Sequence, residues 1–126
     1  MNFKLVDPFT LFYLTWMEGH RRPLDTNRWL SLHSTPAWHA WSGYAFEMTC
    51  LQHTRQIKES LGISGILSES TSWRYISTGP DDPGAQIDLL IDRKDRVINL
   101  CEIKFTDEPF TVSASYAKDL KNKEVV

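Results

Sequence analysis

Residues 86–105 read QIDLLIDRKDRVINLCEIKF, and this stretch decides the fold. Apolar side chains occupy the odd positions Ile87, Leu89 and Ile91, then Val97, Cys101, Ile103 and Phe105, with Asn99 as the exception. Polar side chains occupy the even positions Gln86, Asp88, Asp92, Glu102 and Lys104, with Leu90, Ile98 and Leu100 among them. A period of two is the strand signature, so the stretch predicts a β-hairpin. Directly opposed residues of an antiparallel pair share a face. Both odd sets reach the core only if the loop has an odd number of residues. A loop of Lys94-Asp95-Arg96 meets that condition and sets Asp88 opposite Glu102. A shorter loop of two residues would set Asp88 opposite Cys101 and turn one apolar set outward, because a slip of one residue reverses every side chain. Asp88, Glu102 and Lys104 are therefore predicted on one face at one end of the hairpin. Leu90 and Leu100 lie nearer the turn on that face and predict an apolar cover.

With 126 residues the chain suffices for one domain with a modest core. Apolar residues make up 41% and charged residues 24%, the composition of an ordinary globular domain. The net charge of −2 provides no global basic field, so sequence-independent attraction to nucleic acid would need a local strip. Arg55, Lys58, Arg74 and Lys118 are the candidates for such a strip. Five tryptophans predict helix-packing anchors or a surface that a partner covers. Cys50 and Cys101 cannot build a disulfide framework and read as free core thiols. No secretory signal and no apolar run of membrane length is visible, so no membrane is expected and the cytoplasm is the expected location.

Upstream, Asp7-Pro8 reads as a helix start, with a side-chain acceptor before proline. Gly19 and Pro23 break that helix, His20-Arg21-Arg22 reads as a solvated loop, and a short helix follows through Trp29 and Leu32. Thr35-Pro36 opens the longest predicted helix, which runs to Leu61 with Gly62 as its stop. Glu47 stands inside it among apolar neighbours and reads either as a helix-edge carboxylate that reaches solvent or as a site residue with a cationic partner. Cys50 and His53 lack the second pair that structural zinc needs. Residues 63–76 predict a strand with a bulge or break in their Ser/Thr-rich middle. STGPDDPGA is a loop, whose Asp81 and Asp82 read as turn residues. Ser113 starts a last helix through Tyr116 and Leu120.

Two carboxylates meeting on one sheet face repel and are most stable around a divalent cation, and oxygen ligands suit Mg2+ or Mn2+. A lysine two residues beyond the second carboxylate faces the same way, where it can stabilise a phosphorane-like transition state and help position an attacking water. In the alternative reading, Asp88 caps a turn and Glu102 with Lys104 forms an exposed ion pair of little consequence.

Gly43-Tyr44-Ala45-Phe46-Glu47, then Asp88, then Glu102-Ile103-Lys104 resemble the PD-(D/E)XK nuclease superfamily. HTRQIKESLGI, GAQIDLLIDR and INLCEIKF resemble, more narrowly, the nuclease-like domain at the C-terminal end of bacterial and archaeal AAA-type ATPases. The resemblance spans residues 41–120, and residues 1–35 are similar to the helical linker that precedes such domains. It implies an α/β (α+β) fold with a restriction-endonuclease-like αβββα core, extra N-terminal helices, and a last strand lost by C-terminal truncation. It implies a divalent metal on Asp88, Glu102 and the Ile103 carbonyl, with Lys104 beside the attacking water and Glu47 in support. Two departures stand out: Gln86-Ile87 replaces the usual proline before Asp88, and the final strand is missing. The chain is thus expected to comprise a linker or partner-docking segment, residues 1–35, and an incomplete nuclease-like domain, residues 36–126. The expected partners are DNA, the ATPase part of a longer chain, and a second copy. No phosphate-binding Walker loop is present, so any motor lies elsewhere. The expected activity is metal-dependent phosphodiester hydrolysis; the alternative is a non-catalytic interaction module docking through the tryptophan-rich helices.

Overall fold

The computed structural model describes residues 5–19, 26–79 and 84–125. The basic cluster His20-Arg21-Arg22 and the pair Asp81-Asp82 lie outside the described residues. Helices and one antiparallel three-stranded sheet make a mixed α+β chain, and none of the described helices is long and apolar enough to cross a membrane. The chain divides into two compact units between His53 and Thr54. The long helix, grouped in the sequence with the sheet, therefore stands with the N-terminal helices.

The first unit begins with helix α1 (Pro8–Phe12), whose N-terminus is capped by Asp7 accepting from the Thr10 amide at 2.7 Å. The Asp7 carboxyl is held below its usual range by its side-chain and backbone hydrogen bonds to Thr10. The next turn, Tyr13–Met17, widens to π geometry and closes with the Glu18 amide on the Tyr13 carbonyl at 2.8 Å. Helices α2 (Thr26–Leu32) and α3 (Pro36–Gln52) follow. Thr35 caps α3, accepting from the Trp38 amide at 3.2 Å and donating to the Leu32 carbonyl at 2.7 Å. Four of the tryptophans, Trp16, Trp29, Trp38 and Trp41, pack with Phe12 at centroid separations of 4.9–6.2 Å. They form an aromatic cluster in which Trp16 is buried and the other rings are half-buried.

The second unit begins with α4 (Thr54–Ser60), so the long helix predicted to reach Leu61 is two helices. His53 leaves helical geometry at the junction (φ −108°, ψ 26°). Its ring meets the Thr49 carbonyl at 2.8 Å, and the Thr49 hydroxyl donates to the Ala45 carbonyl at 2.9 Å. Side chains that bond the preceding turn compete with the helical ladder. The predicted stop at Gly62 is present. Gly62 adopts φ +69°, its amide bonds the Glu59 carbonyl, and the Ile63 amide reaches the Lys58 carbonyl at 2.9 Å, the pairing of a Schellman motif. Ile63 is buried beyond it.

Three strands follow: β1 (Ser68–Tyr75), β2 (Ala85–Arg93) and β3 (Ile98–Cys101). Residues 63–67 are turn and coil rather than strand, so β1 starts later than the sequence suggested. The hairpin register follows the parity argument: Leu89 pairs Cys101, Leu90 pairs Leu100 and Ile91 pairs Asn99. The Arg93 amide donates to the Val97 carbonyl at 3.0 Å, which leaves Lys94-Asp95-Arg96 as the loop. Arg96 takes the left-handed conformation (φ 69°) that closes such loops. Leu89 and Ile91 are fully buried. The last helix, α5 (Ala114–Val125), is capped by the Ser113 hydroxyl accepting from the Tyr116 amide at 3.2 Å, and it packs against β2.

Candidate functional site

The expected bulge exists, but the extra residue is on β2. Thr71 pairs Leu90 and Trp73 pairs Ile87, so Ser72 faces both Asp88 and Leu89. A bulge bends its strand and re-aims the side chains at it. The consequence is three consecutive buried residues, Ile87, Asp88 and Leu89, where alternation alone predicts a polar residue facing out. Ile87, expected beside Leu89 and Ile91, instead lines a cavity of about 320 Å³ with Leu100, Glu102, Leu120 and Lys123.

Asp88 is 7% exposed, and such a carboxylate must find donors. Its Oδ2 accepts the Ile103 amide at 3.0 Å, and its Oδ1 receives the Gln86 side-chain amide at 3.4 Å. The ladder registers up to Leu89–Cys101 and β3 ends there, so the next step brings Asp88 level with Glu102. The Asp88 side chain takes over from the ladder by holding the amide between Glu102 and Lys104. Asp88 is thus a strand-end cap, which differs from the turn cap of the alternative reading.

Glu102 is shared by two ammonium groups. Lys104 Nζ lies 3.9 Å from Oε1, and Lys123 from α5 forms an ion pair with Oε2. The Glu102 and Lys123 side chains are 15% and 21% exposed, so this pair is well removed from water. Lys104 is more exposed, and its Nζ sits 5.5 Å from the centre of the Tyr116 ring, a cation–π contact. The Tyr116 hydroxyl is buried without a hydrogen-bond partner among the described residues. Leu100 and Leu120 line the cavity beside Glu102, so α5 supplies part of the predicted apolar cover, while Leu100 remains half-exposed.

Asp88, Glu102, Ile103 and Lys104 therefore come together at the end of the hairpin in the second unit. Glu47 stands half-buried on α3 of the first unit. Of the basic-strip candidates, Arg55 is engaged by Glu59 at 3.1 Å. Lys123 and Tyr116 were missed by the sequence reading. Their signal is the spacing Tyr116, Leu120, Lys123, which places all three on one helical face. Among the described residues, no three His, Cys, Asp or Glu side chains converge as a ready-made metal cluster. Burial raises the Cys101 and Cys50 thiols above their usual value.

The donor chemistry of Asp88, Glu102 and the Ile103 carbonyl suits a hard divalent cation. Each carboxylate has about four lone-pair positions, more than its present partners use. Lys123 is the group that stands in competition. No family model matches this chain, and no curated protein or solved structure is similar to it.

Proposed function

We propose that the second unit is a metal-dependent phosphodiesterase centre of the PD-(D/E)XK nuclease type, acting on DNA, on a restriction-endonuclease-like core. The observation that carries the reading is the bond from the Ile103 amide to the buried Asp88 carboxylate, which ties Asp88 to the middle of Glu102-Ile103-Lys104. Asp88, Glu102 and the Ile103 carbonyl are the residues that would hold Mg2+ or Mn2+. When bound, such an ion polarises a phosphoryl oxygen and lowers the pKa of a water molecule. Lys104 keeps a cation beside Glu102 that can hold an anionic phosphate oxygen in place, with the Tyr116 ring limiting where its ammonium can go. Asp88 fixes the backbone on which Glu102 and Lys104 are mounted. The test is cleavage of supercoiled and linear DNA by the full chain with Mg2+ or Mn2+, against Asp88→Asn and Lys104→Met. Metal-dependent cleavage lost in both variants supports the reading; no cleavage together with no calorimetric metal binding refutes it.

One observation favours a second reading, a non-catalytic module of a larger ATPase. Both Glu102 oxygens already face ammonium groups, so the carboxylate is neutralised within the chain. On this reading Glu102 and Lys123 anchor α5 to the sheet, and the variants above change stability alone.

A further inference from the structure

At the hairpin end two ammonium groups, Lys104 and Lys123, face the Glu102 carboxylate, while Asp88 is held by the Ile103 amide. The two lysines are not equivalent. Lys104 lies 3.9 Å from Glu102, is substantially exposed and rests on the Tyr116 ring. Lys123 makes the closer pair, from a different element, with both partners largely excluded from water. A desolvated ion pair is strongly disfavoured when one partner is removed, so each holds the other in place. Beside the pair lies the cavity of about 320 Å³ lined by Ile87, Leu100, Leu120 and Glu124. It gives the flexible lysine stem room to swing without displacing α5.

From these features we infer that Lys123 is a built-in counter-cation that holds Glu102 closed, and that a divalent cation and the Lys123 ammonium occupy Glu102 in alternation. The inference rests on the reading of Asp88 and Glu102 as a metal-holding pair and adds a regulation to it. Entry of a dication at Glu102 while Lys123 stayed would set its charge directly against the Lys123 ammonium; moving that ammonium off Glu102 into the cavity relieves the repulsion.

The test is calorimetric titration of Mn2+ into the full chain, the Lys123→Met and Lys123→Arg variants, and Glu102→Gln, with circular dichroism to establish that each is folded. Lys123→Met is expected to bind Mn2+ at least about tenfold more tightly than the unaltered chain, the effect of a unit charge at contact distance in bulk water and so the floor for a pair removed from water. Lys123→Arg is expected to show no gain, and Glu102→Gln to lose binding. Equal affinity in Lys123→Met and the unaltered chain overturns the gate while leaving the metal pair standing. Absence of Mn2+ binding in every protein overturns both. A measurement on the unaltered chain needs no variant: the Lys123 ammonium resonance, shielded in the metal-free protein, should take on the solvent exchange of exposed lysines as Mg2+ is added. An unchanged resonance at saturating Mg2+ overturns the gate.

Discussion

Replacing Asp88 separates its part in the fold from any part in chemistry. Its carboxylate is 7% exposed and has two donors. The Gln86 contact, at 3.4 Å, is at the limit of a hydrogen bond and contributes little. The Ile103 amide at 3.0 Å carries the interaction. A hydrogen bond to a charged group contributes roughly 1.5–3 kcal/mol, and loss of the acceptor leaves a half-buried amide unpaired. Asp88→Ala is therefore expected to destabilise the chain by about 2 kcal/mol. Asp88→Asn retains a carbonyl acceptor and should cost about 1 kcal/mol, the difference between a charged and a neutral bond. Urea unfolding followed by circular dichroism measures both. Amide hydrogen exchange gives the site-specific reading: the Ile103 amide should exchange roughly 30-fold faster in Asp88→Ala, since 1.4 kcal/mol corresponds to tenfold, while the Ile91 amide keeps its relative protection. If Asp88→Ala matches the parent to within about 0.5 kcal/mol and the Ile103 amide exchanges at its original rate, Asp88 does not cap the strand.

Further outcomes follow from burial and backbone geometry. Ile91→Ala, at a side chain with 0% exposure, should cost about 2–5 kcal/mol in denaturant unfolding, whereas Ile98→Ala, at 58%, should stay within about 0.5 kcal/mol. Arg96→Gly should raise stability by up to about 1 kcal/mol, because glycine adopts φ 69° freely, and Arg96→Val should lower it by about 1–2 kcal/mol; a reversed order would mean another loop geometry. The raised thiols of Cys50 and Cys101 favour their protonated forms in the folded chain. That contribution to stability is complete below the usual thiol value of 9.0 and is lost as pH rises through the higher folded value. At pH near 8 both should alkylate more slowly folded than in denaturant; equal rates would show that burial does not protect them.

Much of the second unit was legible because alternation and loop parity are local properties of a chain. Ile87 to Ile103 could be registered from side-chain polarity alone, and the register places Leu90 against Leu100 as that reading requires. Helix caps at Asp7, Thr35 and Ser113 and the stop at Gly62 were legible for the same reason: each depends on one residue and its next few neighbours. The break at His53 was not, since no glycine or proline marks it and it arises from side chains bonding the turn behind them.

By itself the sequence determined the hairpin and its three-residue turn, because a period-two pattern with a buried face admits one register. Tertiary structure alone decided where the charges go. The bulge on β2 buries Asp88 and turns it onto the Ile103 amide, and the packing of α5 brings Lys123 to Glu102 across 21 residues of chain. Neither contact follows from spacing, because a bulge is set by how two strands pair and an ion pair between elements by how a helix lies on a sheet.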